Sequence, residues 1–148
     1  MILLEKAPFV GGNTLVSGGV CNAVDPARQE NVAMNAALIN DLKALLELDE
    51  SDFGDFGPTF AALKEQINEY FASGDTEVLF DTVELHMIHT YLGGKRTDLD
   101  GYTITGDFEL VRELCTNALG AIEWLESHGQ EFSDNISTVL GALWPRTH

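Results

Sequence analysis

Positive charge is scarce in this chain. Eight lysines and arginines stand against 24 aspartates and glutamates, a formal net charge of −16 over 148 residues. So few bases exclude a nucleic-acid-binding surface, which needs Lys and Arg facing phosphates to release counterions. They also exclude docking on anionic lipid, and acidity of this degree chiefly reports a solvated helix surface. Long apolar runs are missing as well: nothing approaches the ~18 to 20 residues that a membrane-spanning helix requires. "MILLEK" is too short for the apolar core of a signal peptide and has no basic flank before it, so the chain as written is expected to be cytoplasmic. Cysteine is limited to Cys21 and Cys115, without CxxC spacing. The two read as small buried hydrophobes in a reducing compartment rather than as a disulfide.

What is present suffices for one globular core, with 45% apolar residues and a mean hydropathy of −0.01. Met1–Leu4 is apolar and β-compatible and ends at Glu5-Lys6 and Pro8, which predicts one short strand. Gly11 to Gly19 has no hydrophobic period and reads as a loop. Helical signals dominate from there on. Asp25-Pro26 offers an N-cap and a proline at the first helical position, and Val32, Ile39, Leu42, Leu45 and Leu46 continue a stripe. "LDESDFGDFGP" reads as an acidic loop. A second helix is expected after Pro58, with Phe60, Leu63, Ile67, Tyr70 and Phe71 on one face and Gly74 as its stop. A third is expected to start at Asp81, in a capping box with Glu84, and to end at Gly93-Gly94. "KRTDLDGYTITGD" connects it to the longest helix, capped by Asp107, carrying Val111, Leu114, Ala118, Ile122 and Leu125, and stopped by Gly129. A short helix is expected near residues 135–143. The fold class is therefore mainly α with one short N-terminal strand, and a single strand cannot make a sheet.

The stretch "LLEKAPFVGGNTLVSGG", Leu3 to Gly19, concentrates the chemistry. In a dinucleotide-binding fold an acidic residue at the end of the second strand hydrogen-bonds ribose hydroxyls, and Glu5 suits that place. The glycines that follow let bare backbone approach a flat or phosphorylated ligand, with Asn13, Thr14 and Ser17 as short polar contacts. The competing reading of the same residues is a glycine-rich turn without a ligand.

This stretch, followed by Asn22-Ala23, resembles the FAD-binding family that holds fumarate reductases, flavocytochrome c and urocanate reductases. The likeness continues in "DTVELH", "GGKRTD", "AIEWLESHGQEF" and "GALWPRTH". The resemblance implies that the chain is a fragment of a larger Rossmann-type α/β flavoprotein. Residues 1–24 would be the strand and glycine loop of the FAD-binding domain. Residues 25–148 would be its helical segment, with an insertion at about 31–74, ending where a capping domain begins. It further implies that Glu5 binds the ADP ribose with Lys6 beside it. Gly12, Asn13 and Thr14 would touch the pyrophosphate or ribityl region, and Ser17, Gly18 and Gly19 would lie near the isoalloxazine. The implied reaction is hydride transfer from flavin to the double bond of a fumarate- or urocanate-like enoic acid, with FAD and a small carboxylate as partners. Two parts of the pattern are absent: the G-x-G-x-x-G of the first strand and the capping domain with its arginine acid. The isolated chain is therefore expected to be inactive. The alternative is a non-catalytic acidic helical module for assembly, and the edge of the N-terminal strand is a place where copies would associate.

Other polar residues are weaker candidates. His86 and His89 share a predicted helix face, but no third ligand stands at metal spacing, so no metal site is expected and a packing role is favoured. Arg146 and His148 could face an anionic substrate beside a flavin, or could simply belong to a polar terminal loop. Asp49, Glu50, Asp52 and Asp55 lack the spacing and glycine of a calcium loop and read as a solvated acidic segment.

Overall fold

The structure is a computed structural model that describes Pro8, Gly11, Gly12 and residues 17–148. The expected strand Met1–Leu4, together with Glu5, Lys6, Asn13 and Thr14, lies outside the described residues. The described chain is mainly α: α1 Pro26–Gln29, α2 Ala36–Leu46, a 3-10 helix Glu50–Phe56, α3 Gly57–Ser73, α4 Val83–Gly94 and α5 Phe108–Ser127. Between α4 and α5 stand β1 Arg96–Thr97 and β2 Thr103–Ile104, an antiparallel pair with Arg96 opposite Ile104. Among the described residues no helix is long and apolar enough to cross a membrane.

Asp25 caps α1 as its Asp-Pro signal predicts, accepting from the Arg28 amide with Pro26 in the first turn. The stripe that runs on to Leu46 does not form one helix, however. After Gln29 the chain opens and pairs across to residues 77–79, with Met34 N donating to Glu77 O and Leu79 N to Val32 O, both at 2.8 Å. The helix restarts only where the Asn35 side chain captures the amides of Ala37 and Leu38. The acidic segment is not a plain loop either. Asp49 caps the Ser51 amide, Phe53 and Phe56 are buried, and Gly54 makes the kink between them at φ 52 and ψ −126, where a side chain would be strained.

α3 ends at Gly74, which adopts the left-handed conformation at φ 74 as expected of a helix stop. α4 begins one residue later than predicted. Thr82, not Asp81, is its N-cap and accepts from the Leu85 amide, which frees Asp81 for another partner. Leu85, His86, Met87, Ile88 and Tyr91 are all buried, so this helix is covered nearly all round and shows little amphipathic pattern. The β1–β2 turn, expected as an irregular connection, is held by the Asp98 carboxylate accepting from the Asp100 and Tyr102 amides. On α5, capped by Asp107, Val111, Cys115 and Ile122 are buried, whereas Leu114 points out at 59% exposure.

The core gathers α3, α4 and the 3-10 helix. Phe53 stacks on Phe60 at 3.9 Å between ring centroids, and Phe56 packs on Tyr91 at 4.8 Å. Phe60, Leu63, Ile67, Leu85 and Ile88 are fully buried with them. Residues 31–74 thus supply much of the core against which α4 is seated.

Candidate functional site

The last residues of the chain thread back into the body. The segment expected to be helical near 135–143 is instead irregular, because its backbone partners lie elsewhere. Ser137 and Thr147 exchange two hydrogen bonds at 3.0 and 3.1 Å, and Cys21 and His148 exchange two more at 2.8 and 3.2 Å. Ala23 N donates to Arg146 O at 3.0 Å. This ladder brings the end of the glycine segment against the C-terminal tail, a contact between residues some 125 positions apart.

The ladder carries two charged groups inward. The Arg146 guanidinium grips the Asp81 carboxylate with two bonds, Nη2 to Oδ1 at 2.6 Å and Nε to Oδ2 at 3.0 Å, and its side chain is 3% exposed. Burial drives the Asp81 carboxyl up to about 7, opposed only in part by the guanidinium, and the same burial lowers Arg146. His148 turns its ring between the Arg146 carbonyl, 3.2 Å from Nδ1, and Asp25 Oδ2, 3.2 Å from Nε2. Asp25 also holds Arg28. Burial raises the Asp25 carboxyl, but the hydrogen bonds from Arg28 and His148 outweigh it and hold the group below its ordinary range. Both tail residues are therefore engaged by carboxylates of the chain itself.

Beside Arg146 lies a cavity of about 230 Å³ lined by Asn22, His86, His89, Thr90, Trp144 and Arg146, together with Gly93 and residues 141–143. α4 projects His86 and His89 into its wall from one helical face, since three residues is nearly one turn. The Trp144 indole packs 5.4 Å from the His89 ring and fixes its own N–H on Phe80 O at 2.9 Å. Burial and then the Arg146 charge lower His86 to about 4 and, with His86 adding to both, His89 to about 3. Both imidazoles are thus neutral near pH 7. Neither ring nitrogen of His86 has a hydrogen bond among the described residues, and its Nδ1 is wholly buried. A buried polar atom left so costs about 1–3 kcal/mol.

Among the residues of the expected flavin loop, Gly12 is half-buried, whereas Ser17, Gly18 and Gly19 are exposed. Ser17 Oγ accepts from the Gly19 amide at 3.2 Å, and Gly19 needs glycine because its φ is 69. Gly18 has no such need: its backbone is not left-handed, and a Cβ there would meet nothing within 4 Å among the described residues. Asn22, three residues on, is the point at which this segment reaches the cavity. Sequence reading placed Arg146 near a site but missed Asp81 as its partner, and it assigned Asp81 to the cap instead. It also noted His86 and His89 without the cavity that joins them to Asn22. Both thiols are free, Cys115 buried and Cys21 half-buried.

Set against curated proteins, the chain is similar to an oxidoreductase. That relative is the NADH:acrylate oxidoreductase of Vibrio harveyi, 41% identical over 152 residues that take in all of this chain and 15% of the relative. The chain thus spans about 15% of the length of this curated relative. No protein-family model matches it, and no solved structure does.

Proposed function

We propose that this chain is a piece of an FAD-dependent oxidoreductase that reduces the double bond of a small enoic acid, and that residues 5–19 are its contribution to the flavin site. The name of the relative supports the reaction class, because acrylate is an enoate and its reduction needs a hydride delivered to the alkene. Bound FAD would supply that hydride. The residues of this chain would bind and orient. Glu5 would accept from the ribose hydroxyls, with Lys6 beside it, and Gly12, Asn13 and Thr14 would border the pyrophosphate or ribityl chain. Ser17, Gly18 and Gly19 would offer backbone to the ring.

One observation carries the assignment: Gly18 is glycine without an internal reason. Neither backbone strain nor a neighbouring atom within the described residues forbids a side chain there. Close approach of a group outside the described residues, a bound flavin, would explain the choice. In the full polypeptide, Gly18→Val is expected to lower the flavin-to-protein absorbance ratio several-fold while far-UV circular dichroism stays unchanged. An unchanged flavin ratio would sink the assignment.

A second reading has its own support. Leu110, Leu114 and Trp124 stand 72%, 59% and 60% exposed along α5. A face of this kind suits contact with another part of a larger assembly. Under that reading the chain is an acidic helical assembly module, and Gly18→Val leaves flavin untouched.

A further inference from the structure

The cavity against α4 is unusual for where it sits. The chain holds three acids for every base, yet none of the described residues lining this cavity is an aspartate or glutamate. They include instead one arginine and two of the four histidines of the sequence.

The lining also presents donors in excess of acceptors. Arg146 Nη2 lies 3.4 Å from His89 Nδ1, and because a guanidinium can only donate, that nitrogen must be the acceptor. The ring proton of His89 therefore sits on Nε2, a donor with no partner among the described residues. Asn22 commits its Oδ1 to the Thr147 hydroxyl at 2.6 Å, and its amide N–H groups have no partner among the described residues. Arg146 spends Nε and Nη2 on Asp81, and its Nη1 makes no hydrogen bond among the described residues. His86, whose Nε2 has no hydrogen bond among the described residues, completes the set, while its Nδ1 is sealed from the cavity. The cavity is half open to solvent, and at about 30 Å³ per water its volume equals roughly seven waters, which accommodates an anion of a few heavy atoms.

We infer that this cavity is a binding site for a small planar oxyanion, of carboxylate or nitrate shape, held by Asn22, His86, His89 and the free Nη1 of Arg146. Nη1 of the guanidinium and the N–H groups of Asn22 and His89 are donors suited to the lone pairs of such an ion. The site stands independently of the flavin assignment, since every residue in it lies at or beyond Asn22.

Its test is a titration of the full chain with sodium formate, sodium acetate and sodium nitrate in turn, at ionic strength held constant with sodium chloride. The side-chain ring signals of the histidines would be followed by proton–nitrogen NMR. Saturable shifts are expected at His86 and His89, with His128, exposed on the far end of α5, unmoved. Carboxylates saturating where nitrate does not would assign the site to carboxylates, and saturation by all three would assign it to planar oxyanions at large. Asn22→Asp is exposed enough to fold and keeps the acceptor for Thr147 while placing a negative charge at the mouth. It should weaken binding at least tenfold, and His86→Phe should abolish it. Shifts that stay linear in concentration, that appear equally at His128, or that survive Asn22→Asp unchanged would overturn the proposal.

Discussion

His86 and His89 show what burial does to a single titratable side chain. Each imidazole would take a proton near its ordinary 6.5 in the unfolded chain, but in the fold His86 waits until about pH 4 and His89 until about pH 3. The unfolded state therefore binds more protons between those values, and stability must rise with pH across that window and be lost as pH falls from 6.5 toward 4. The slope is at most about 1.4 kcal/mol per pH unit for each histidine. Asp81, its carboxyl pushed up to about 7, acts in the opposite direction over the same range and offsets about one histidine, so urea unfolding at pH 6.5, 5.5 and 4.5 should show a net decline of about one histidine's slope, and the double variant His86→Gln, His89→Gln should abolish or reverse it. A wild-type profile that is flat over that range contradicts the burial of both rings. The spacing of the two histidines was visible in the sequence. Their neutrality was not, because it depends on Trp144 and Arg146, which arrive from more than 50 residues away.

At the scale of elements, the local signals that succeeded are those whose partners lie within one turn. Asp25-Pro26 starts α1, Gly74 stops α3 and Asp107 caps α5, each through contacts of four residues or fewer. The Asp107 cap is exposed and answers only to the Leu110 amide, so Asp107→Ala is expected to cost about 1 kcal/mol in thermal or urea unfolding, without change in fold. Where a distant partner intervenes, local signals mislead. Asp81 has the chemistry of a cap, yet its carboxylate takes a buried guanidinium from the tail and the adjacent Thr82 amide, and Thr82 caps α4 in its place. The stripe leading to Leu46 likewise reads as one helix until residues 77–79 pair with Val32 and Met34.

Across the whole molecule, the Asp81–Arg146 pair ties the C-terminal tail to the central helix over 65 residues of sequence. Removing one partner of a buried pair strands the other charge away from water, at a cost of about 3–5 kcal/mol. Asp81→Asn should accordingly destabilise the chain by that order, read from chemical denaturation. It should also open residues 137–148 to limited proteolysis before the α3–α4 core yields. Equal resistance of tail and core in the variant would mean that the backbone ladder alone holds the tail.

The sequence by itself determined that the chain would be mainly helical, strongly acidic and rich in glycine at one end, because composition, helical period and caps act over a few residues. It also marked Arg146, His86 and His89 as chemically notable. Only the tertiary structure decided that these three share a wall with Asn22, that Asp81 serves an arginine rather than a helix, and that the acidic segment 50–56 buries two aromatic anchors. The reason is physical. Pairing, burial and the pKa shifts that follow are set by groups brought together from far along the chain, and no local pattern records which ones meet.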